Sequence, residues 1–271
     1  MVVWQQGKRA EEDIWMRKQI DLFMFMGQSN MAGRGISSQE WPETPPVLMP
    51  GAGYEFRAIS DPTRLYPIVE PFGRRENNPQ GISENLKTGS LATAFCNAYY
   101  ETTGIAVVGV SASKGGSSIA QWQPGSAFLM DAVGRLKRAE KYLCSSGYLI
   151  RHRFMLWCQG ETDGDLGMTG IEYKTSFDCM FKEMKRYGIE ICFMIQIGHY
   201  NGTGPQDYSE IMQAQEQIAA ENKDVVMVSR SFAQMKERGL MKDEFHYFQA
   251  AYNIVGAEAG KNAGGYLKES V

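Results

Sequence analysis

The chain has 271 residues, with 28 Lys and Arg against 31 Asp and Glu and a net charge of −3. That balance leaves little electrostatic drive toward nucleic acid or an anionic membrane. A content of 43% hydrophobic and 22% charged residues excludes disorder and fibre for the whole chain. Its length buries roughly three quarters of the unfolded surface in one large domain or two small ones.

Residues 1–18, MVVWQQGKRAEEDIWMRK, carry charges where a secretory signal needs its apolar stretch, and no apolar run is long enough for a membrane span. The expectation is a cytoplasmic protein. Cys96, Cys144, Cys158, Cys179 and Cys192 are scattered, lack a C-x-x-C pair and read as buried free thiols.

Taken in order, the apolar β-rich runs are 20–26, 105–110, 151–158, 190–197 and 225–229. Each is too short for a helix, and several lack polar alternation, as strands buried on both faces do. Between them lie helical spacings: 88–102; Phe128, Ala132, Leu136, Ala139 and Leu143; Tyr173, Phe177, Met180, Phe181 and Met184; 207–221; and 247–261. Alternating strands and helices predict an α/β fold, a five-stranded parallel sheet with helices on both faces. Eight of ten prolines fall between Pro42 and Pro79, so about 36–87 is expected to be an excursion beside the first strand and the active site, with YEFRA and LYPIV as a short hairpin inside it. No repeat or linker interrupts the chain, and 1–271 reads as one domain.

Open parallel sheets bind ligands beyond the carboxyl ends of their strands. The segments there are GQSNMAGRG (27–35), SASKGGSS (111–118), QGETDGD (159–165) and GHYNGTG (198–204), and the fifth strand leads toward DEFHYF (243–248). Ser29 follows the first strand in a glycine turn, suitable for a nucleophile, although a lone serine there is commonly only an N-cap. Of three histidines, His152 starts a strand at the far end, His199 remains possible, and His246 has Asp243 three residues before it. Asp243 could orient His246 as a base toward Ser29, or simply cap the last helix. The Ser29 N–H, an N–H from Gly115 or Gly116 and the Gln159 amide would come from adjacent strand ends as oxyanion donors. There is no G-x-S-x-G elbow and no phosphate-binding loop. Glu161, Asp163 and Asp165 do not complete a calcium loop, so neither metal nor cofactor is expected.

Together, GQSNMAG (27–33), KGGSSIAQW (114–122), WCQGETD (157–163) and DEFHY (243–247) resemble the SGNH hydrolase superfamily. The closer resemblance is to its sialate O-acetylesterase and acetylxylan esterase group, carbohydrate esterase family six. It implies a flavodoxin-like three-layer α/β/α fold and a metal-independent serine esterase removing acetyl groups from a small acetylated sugar or oligosaccharide. By matching positions, Ser29 would be nucleophile, His246 base and Asp243 its orienting carboxylate. Ser29, Gly115 (or Gly116) and Gln159 would form the oxyanion hole. Gln28, Asn30, Trp122 and Glu161 would face substrate, Trp122 as a sugar wall unless it is packing, while Glu161 could compete with Asp243 for His246. The rivals are a non-catalytic carbohydrate-binding protein and an esterase or thioesterase for lipid-like acyl chains. The oligomeric state is left open.

Overall fold

The computed structural model of the protein describes residues 18–37, 44–77 and 83–269. The charged N-terminal segment 1–17 and parts of the proline-rich excursion therefore lie outside the described residues.

The first strand, β1 (Lys18–Gly27), is central and buried on both faces. Ile20, Leu22, Met24 and Met26 join one hydrophobic cluster while Phe23 and Phe25 join the other. This period of two is what alternating Cβ directions impose on a strand with no solvent-facing side. It pairs in parallel with β4 (Ala106–Ser111) on one side and β5 (Tyr148–Cys158) on the other, followed outward by β6 (Ile191–Ile195) and β7 (Val225–Ser229).

The expected hairpin forms as β2 (Gly53–Phe56) and β3 (Leu65–Pro67), paired antiparallel with Tyr54 opposite Pro67 and Phe56 opposite Leu65. It does not stand apart from the sheet. β2 pairs in parallel with β4, so the order is β3-β2-β4-β1-β5-β6-β7, and the expected five strands become seven. The two added strands are too short to show a period of their own; their place is decided by the free edge of β4. The five strands β4-β1-β5-β6-β7 keep the doubly wound order in which the switch point falls between β1 and β5.

Two short helices follow strands directly: α1 (Ser29–Ala32) after β1 and α4 (Glu161–Asp165) after β5. The longer helices are α2 (Ala92–Thr103), α3 (Ala127–Ser145), α5 (Gly170–Arg186), α6 (Ser209–Glu221) and α7 (Gln249–Glu269). Buried residues of α3, α5 and α6 pack on one face of the sheet, and those of α2 and α7 on the other, giving three α/β/α layers. Ser126 caps α3 and Thr169 forms a capping box with Glu172 on α5. Among the described residues no helix is long and apolar enough to cross a membrane.

Trp122 belongs to this core and corrects the expectation of a sugar-facing wall. It is fully buried, its ring edge-on to Trp157 with centroids 5.4 Å apart, and its Nε1 donates to Ser117 Oγ at 2.9 Å. An indole with its one donor satisfied inside the core is packing rather than binding surface. Trp122→Ala is expected to lower folding stability by about 3–5 kcal/mol, measured by denaturant unfolding; a loss below 1 kcal/mol would show that the indole is not a core element.

Candidate active site

The ends of β1 and β5 approach so closely that a Cβ at Gly27 would lie 1.9 Å from the Cys158 carbonyl oxygen, and Gly27 turns at φ 132°. Only glycine fits both conditions. The next residues, Gln28 and Ser29, are thereby set against the 159–165 segment, and Gln28 N–H donates to Cys158 O at 3.0 Å.

Ser29 opens α1 and is 6% exposed. Its Oγ lies 3.0 Å from His246 Nε2. His246 sits in the loop before α7, and its Nδ1 is 3.0 Å from each carboxylate oxygen of Asp243. Asp243 Oδ1 also accepts from the backbone N–H groups of Phe245 at 2.8 Å and His246 at 2.7 Å. One carboxylate thus closes the loop and orients the ring. Asp243, not Glu161, is the carboxylate partner of His246. His152 pairs with Glu190 and stacks on Phe154, while His199 is exposed and outside the cavity wall.

Burial pushes the His246 imidazole below its ordinary value, and the positive charges of Arg34 and Lys242 add to this against the pull of Asp243. Burial opposes ionisation of Asp243, but the Phe245 and His246 N–H groups and the imidazole outweigh it and hold the carboxyl below the usual range. The pair is therefore a neutral ring beside an ionised carboxylate near neutral pH.

Ser29 and His246 open into a cavity of about 210 Å³, lined also by Gln28, Asn30, Arg34, Gly116, Glu161 and neighbouring residues. Gly116, at φ 65°, lines it and Gly115 does not. The N–H groups of Ser29, Gly115 and Gly116 have no acceptor among the described residues. The glycine loop is tied down on its N-terminal flank by Lys114, whose N–H donates to Gly27 O at 2.8 Å and whose buried ammonium pairs with Asp131.

Gln159 is placed differently from expectation. Its Nε2 donates to Ser117 O at 2.8 Å and to Asp163, and the side chain is fully buried outside the cavity wall. An amide has two hydrogens, and both are committed, which corrects its assignment as an oxyanion donor. Its backbone carbonyl accepts from Tyr173 Oη at 2.7 Å and Gln215 Nε2 at 2.9 Å, so Gln159 is a buried tie between α4, α5, α6 and the 117–119 segment.

Asn30 and Glu161 form a support under the cavity. Asn30 Nδ2 donates to Glu161 Oε1 at 2.6 Å and Phe245 O at 3.1 Å, and its Oδ1 accepts from Tyr252 Oη at 2.7 Å, leaving no amide hydrogen for a ligand. Glu161 is pushed up to about 7, chiefly by burial, with Asp163 and Asp165 adding to the shift. Among the described residues no group of His, Cys, Asp and Glu is arranged to hold a metal ion.

Four cavity residues are not among those expected to act on or bind substrate: Arg34, Thr162, Phe245 and Asp165, the last weighed from sequence only as part of a calcium loop. All lie inside the four recognisable motif blocks or within three residues of one, a signal that marks segments but not which side chains face inward. Arg34 is the most informative. Its backbone N–H donates to Tyr252 Oη at 3.3 Å and its carbonyl accepts from Lys242, yet its guanidinium donates to no acceptor among the described residues and its Nε is buried.

No curated protein matches this sequence significantly. Solved structures do match: a protein of Arabidopsis thaliana at 22% identity and TM-score 0.63, with 93% of this chain and 98% of that chain covered. The structure named NanS matches at 12% identity and TM-score 0.61, covering 94% and 98%. XAC1771, described as a carbohydrate acetylesterase from Xanthomonas citri, matches at 14% identity and TM-score 0.55, covering 90% of this chain and 55% of that one. At these identities the likeness is one of fold. Residues 19–263 match the family described as carbohydrate esterase, sialic acid-specific acetylesterase, and with nearly the whole chain matched the protein belongs to that family of carbohydrate O-acetylesterases.

Proposed function

We propose that the protein removes O-acetyl groups from acetylated sugars through an acetyl-serine intermediate, without metal or cofactor. The observation that carries this reading is the relay of Asp243, His246 and Ser29, each within 3.0 Å of the next, with Ser29 and His246 at the wall of one cavity. Ser29 Oγ attacks the acetyl carbonyl while His246 Nε2 takes its proton. The tetrahedral oxyanion is met by the N–H groups of Ser29 and Gly116, both without another acceptor. The C–O bond to the sugar then breaks as His246 returns the proton to the leaving oxygen. Water, deprotonated by His246, attacks acetyl-Ser29 and releases acetate.

The size and lining of the cavity favour a short acyl group. A volume of about 210 Å³ walled by Arg34, Glu161, Asp165 and Thr162 offers no continuous apolar groove for a lipid-like chain. Between a neutral acetylxylan and an acidic sialate, the unpaired Arg34 guanidinium favours the acidic sugar, since a partly buried arginine without an acceptor suits a carboxylate. The family description agrees with that choice. The non-catalytic reading is disfavoured because the base already lies at hydrogen-bond distance from the serine.

Hydrolysis of 4-nitrophenyl acetate, butyrate and octanoate by wild type, Ser29→Ala and His246→Ala is the direct test. Acetate preference abolished in both variants is the expected result; octanoate preference would replace the sugar ester with a lipid-like one, and an inactive wild type would return weight to a binding protein.

The depressed His246 sets the pH dependence. A base works only when neutral, so kcat/KM should stay high as pH falls through the ordinary histidine value of 6.5 and decline only below it. Arg34→Gln removes a positive charge facing the ring and should move that decline to higher pH, while Asp243, Lys242 and the Glu161 carboxyl remain. The same variant should raise KM for an acetylated sialic acid and leave KM for 4-nitrophenyl acetate nearly unchanged; equal KM effects on both esters would remove Arg34 from carboxylate recognition.

A further inference from the structure

Two oxyanion donors come from backbone N–H groups, and the side-chain donor expected at Gln159 is committed elsewhere. A second amide occupies the neighbouring position. Gln28, at the end of β1, accepts at Oε1 from Gly160 N–H at 3.1 Å and Thr162 N–H at 3.4 Å, and Gln159 Nε2 lies 3.3 Å away. Two backbone donors converging on one atom identify it as the oxygen and leave the nitrogen at the other end of the amide. That nitrogen donates to nothing among the described residues. Unlike Arg34 Nε or Gln159 Oε1 it is not sealed from solvent, although Gln28 as a whole is only 4% exposed. Gln28 lines the cavity with Ser29 and Gly116, so the cavity is the open side available to the free NH₂.

We propose that Gln28 Nε2 is the third oxyanion donor, acting with the Ser29 and Gly116 N–H groups on the tetrahedral intermediate. The inference rests on the serine-esterase reading above. A pinned oxygen and a free nitrogen make a preorganised donor: the amide is already oriented by the start of α4, so no reorganisation accompanies charge development on the substrate oxygen. The arrangement also gives two stacked glutamines distinct roles. Gln159 holds the 117–119 segment and Asp163 from below, and Gln28, resting against it, presents the hydrogens.

The decisive variant is Gln28→Glu, which keeps an acceptor oxygen for Gly160 and Thr162 but replaces the NH₂ by a second carboxylate oxygen. With 4-nitrophenyl acetate, kcat is expected to fall on the order of 10²- to 10³-fold, with KM within threefold of wild type. The deficit should shrink as pH falls and the new carboxyl takes a proton that it can donate, a response that mere loosening of the 159–162 segment would not produce. Should the thermal midpoint show that Gln28→Glu does not hold its fold, Gln28→Met, uncharged and of similar length, carries the same kcat and KM comparison. A folded variant with kcat within threefold of wild type overturns the assignment. Ser29→Ala measured in parallel separates the two levels: a residual rate near wild type there would overturn the serine mechanism itself, whereas an inactive Ser29→Ala beside an active Gln28→Glu overturns only the role of Gln28.

Discussion

The close approach of β1 and β5 is the constraint on which the site depends. With no room for a Cβ at Gly27 against the Cys158 carbonyl, the two central strands end side by side and their following turns must share one space. Ser29 and Gln28 come from one turn and the 159–165 segment from the other. The cavity sits at this junction because the order of the inner strands reverses there, leaving the crevice uncovered by a crossover.

Polar groups buried at that junction are arranged in two tiers. In the lower tier Gln159, Asp163, Tyr173 and Gln215 exchange hydrogen bonds among themselves and with backbone, joining three helices to the sheet. In the upper tier Asn30, Glu161 and Tyr252 tie α1 to α4, α7 and the Phe245 carbonyl. Desolvated polar groups are stabilising only when satisfied, and most of these are. The exceptions, Arg34 Nε, Glu161 Oε2 and Gln159 Oε1, cluster around the cavity.

Electrostatics at His246 follow from the same layout. Half-burial and the charges of Arg34 and Lys242 disfavour the imidazolium, while Asp243 limits how far the depression goes. The result is a neutral ring beside a carboxylate able to stabilise its protonated form, the combination that the proposed mechanism asks of a base.

Much of this was legible from the chain. Short apolar runs identified five of the seven strands, because a strand covered on both faces carries no polar alternation. The segments after those strands identified where chemistry would sit, and Asp243, three residues before His246, pointed to the pair that the loop brings together. The outer strands were read as a hairpin but not as part of the sheet, since pairing with β4 is a long-range contact that four residues cannot encode. Trp122 and Gln159 fell on the wrong side of the cavity wall for a related reason. Residue type and position in a motif specify which segment approaches the site, whereas the direction of each side chain depends on local turns and on the neighbours it packs against. The sequence by itself determined the class of fold, the loops that meet and the serine, histidine and aspartate that those loops bring within hydrogen-bond distance. Only the tertiary structure decided which amides are spent on internal ties, which arginine is left unpaired and which glycine faces the cavity, because hydrogen-bond saturation is a property of groups brought together from distant parts of the chain.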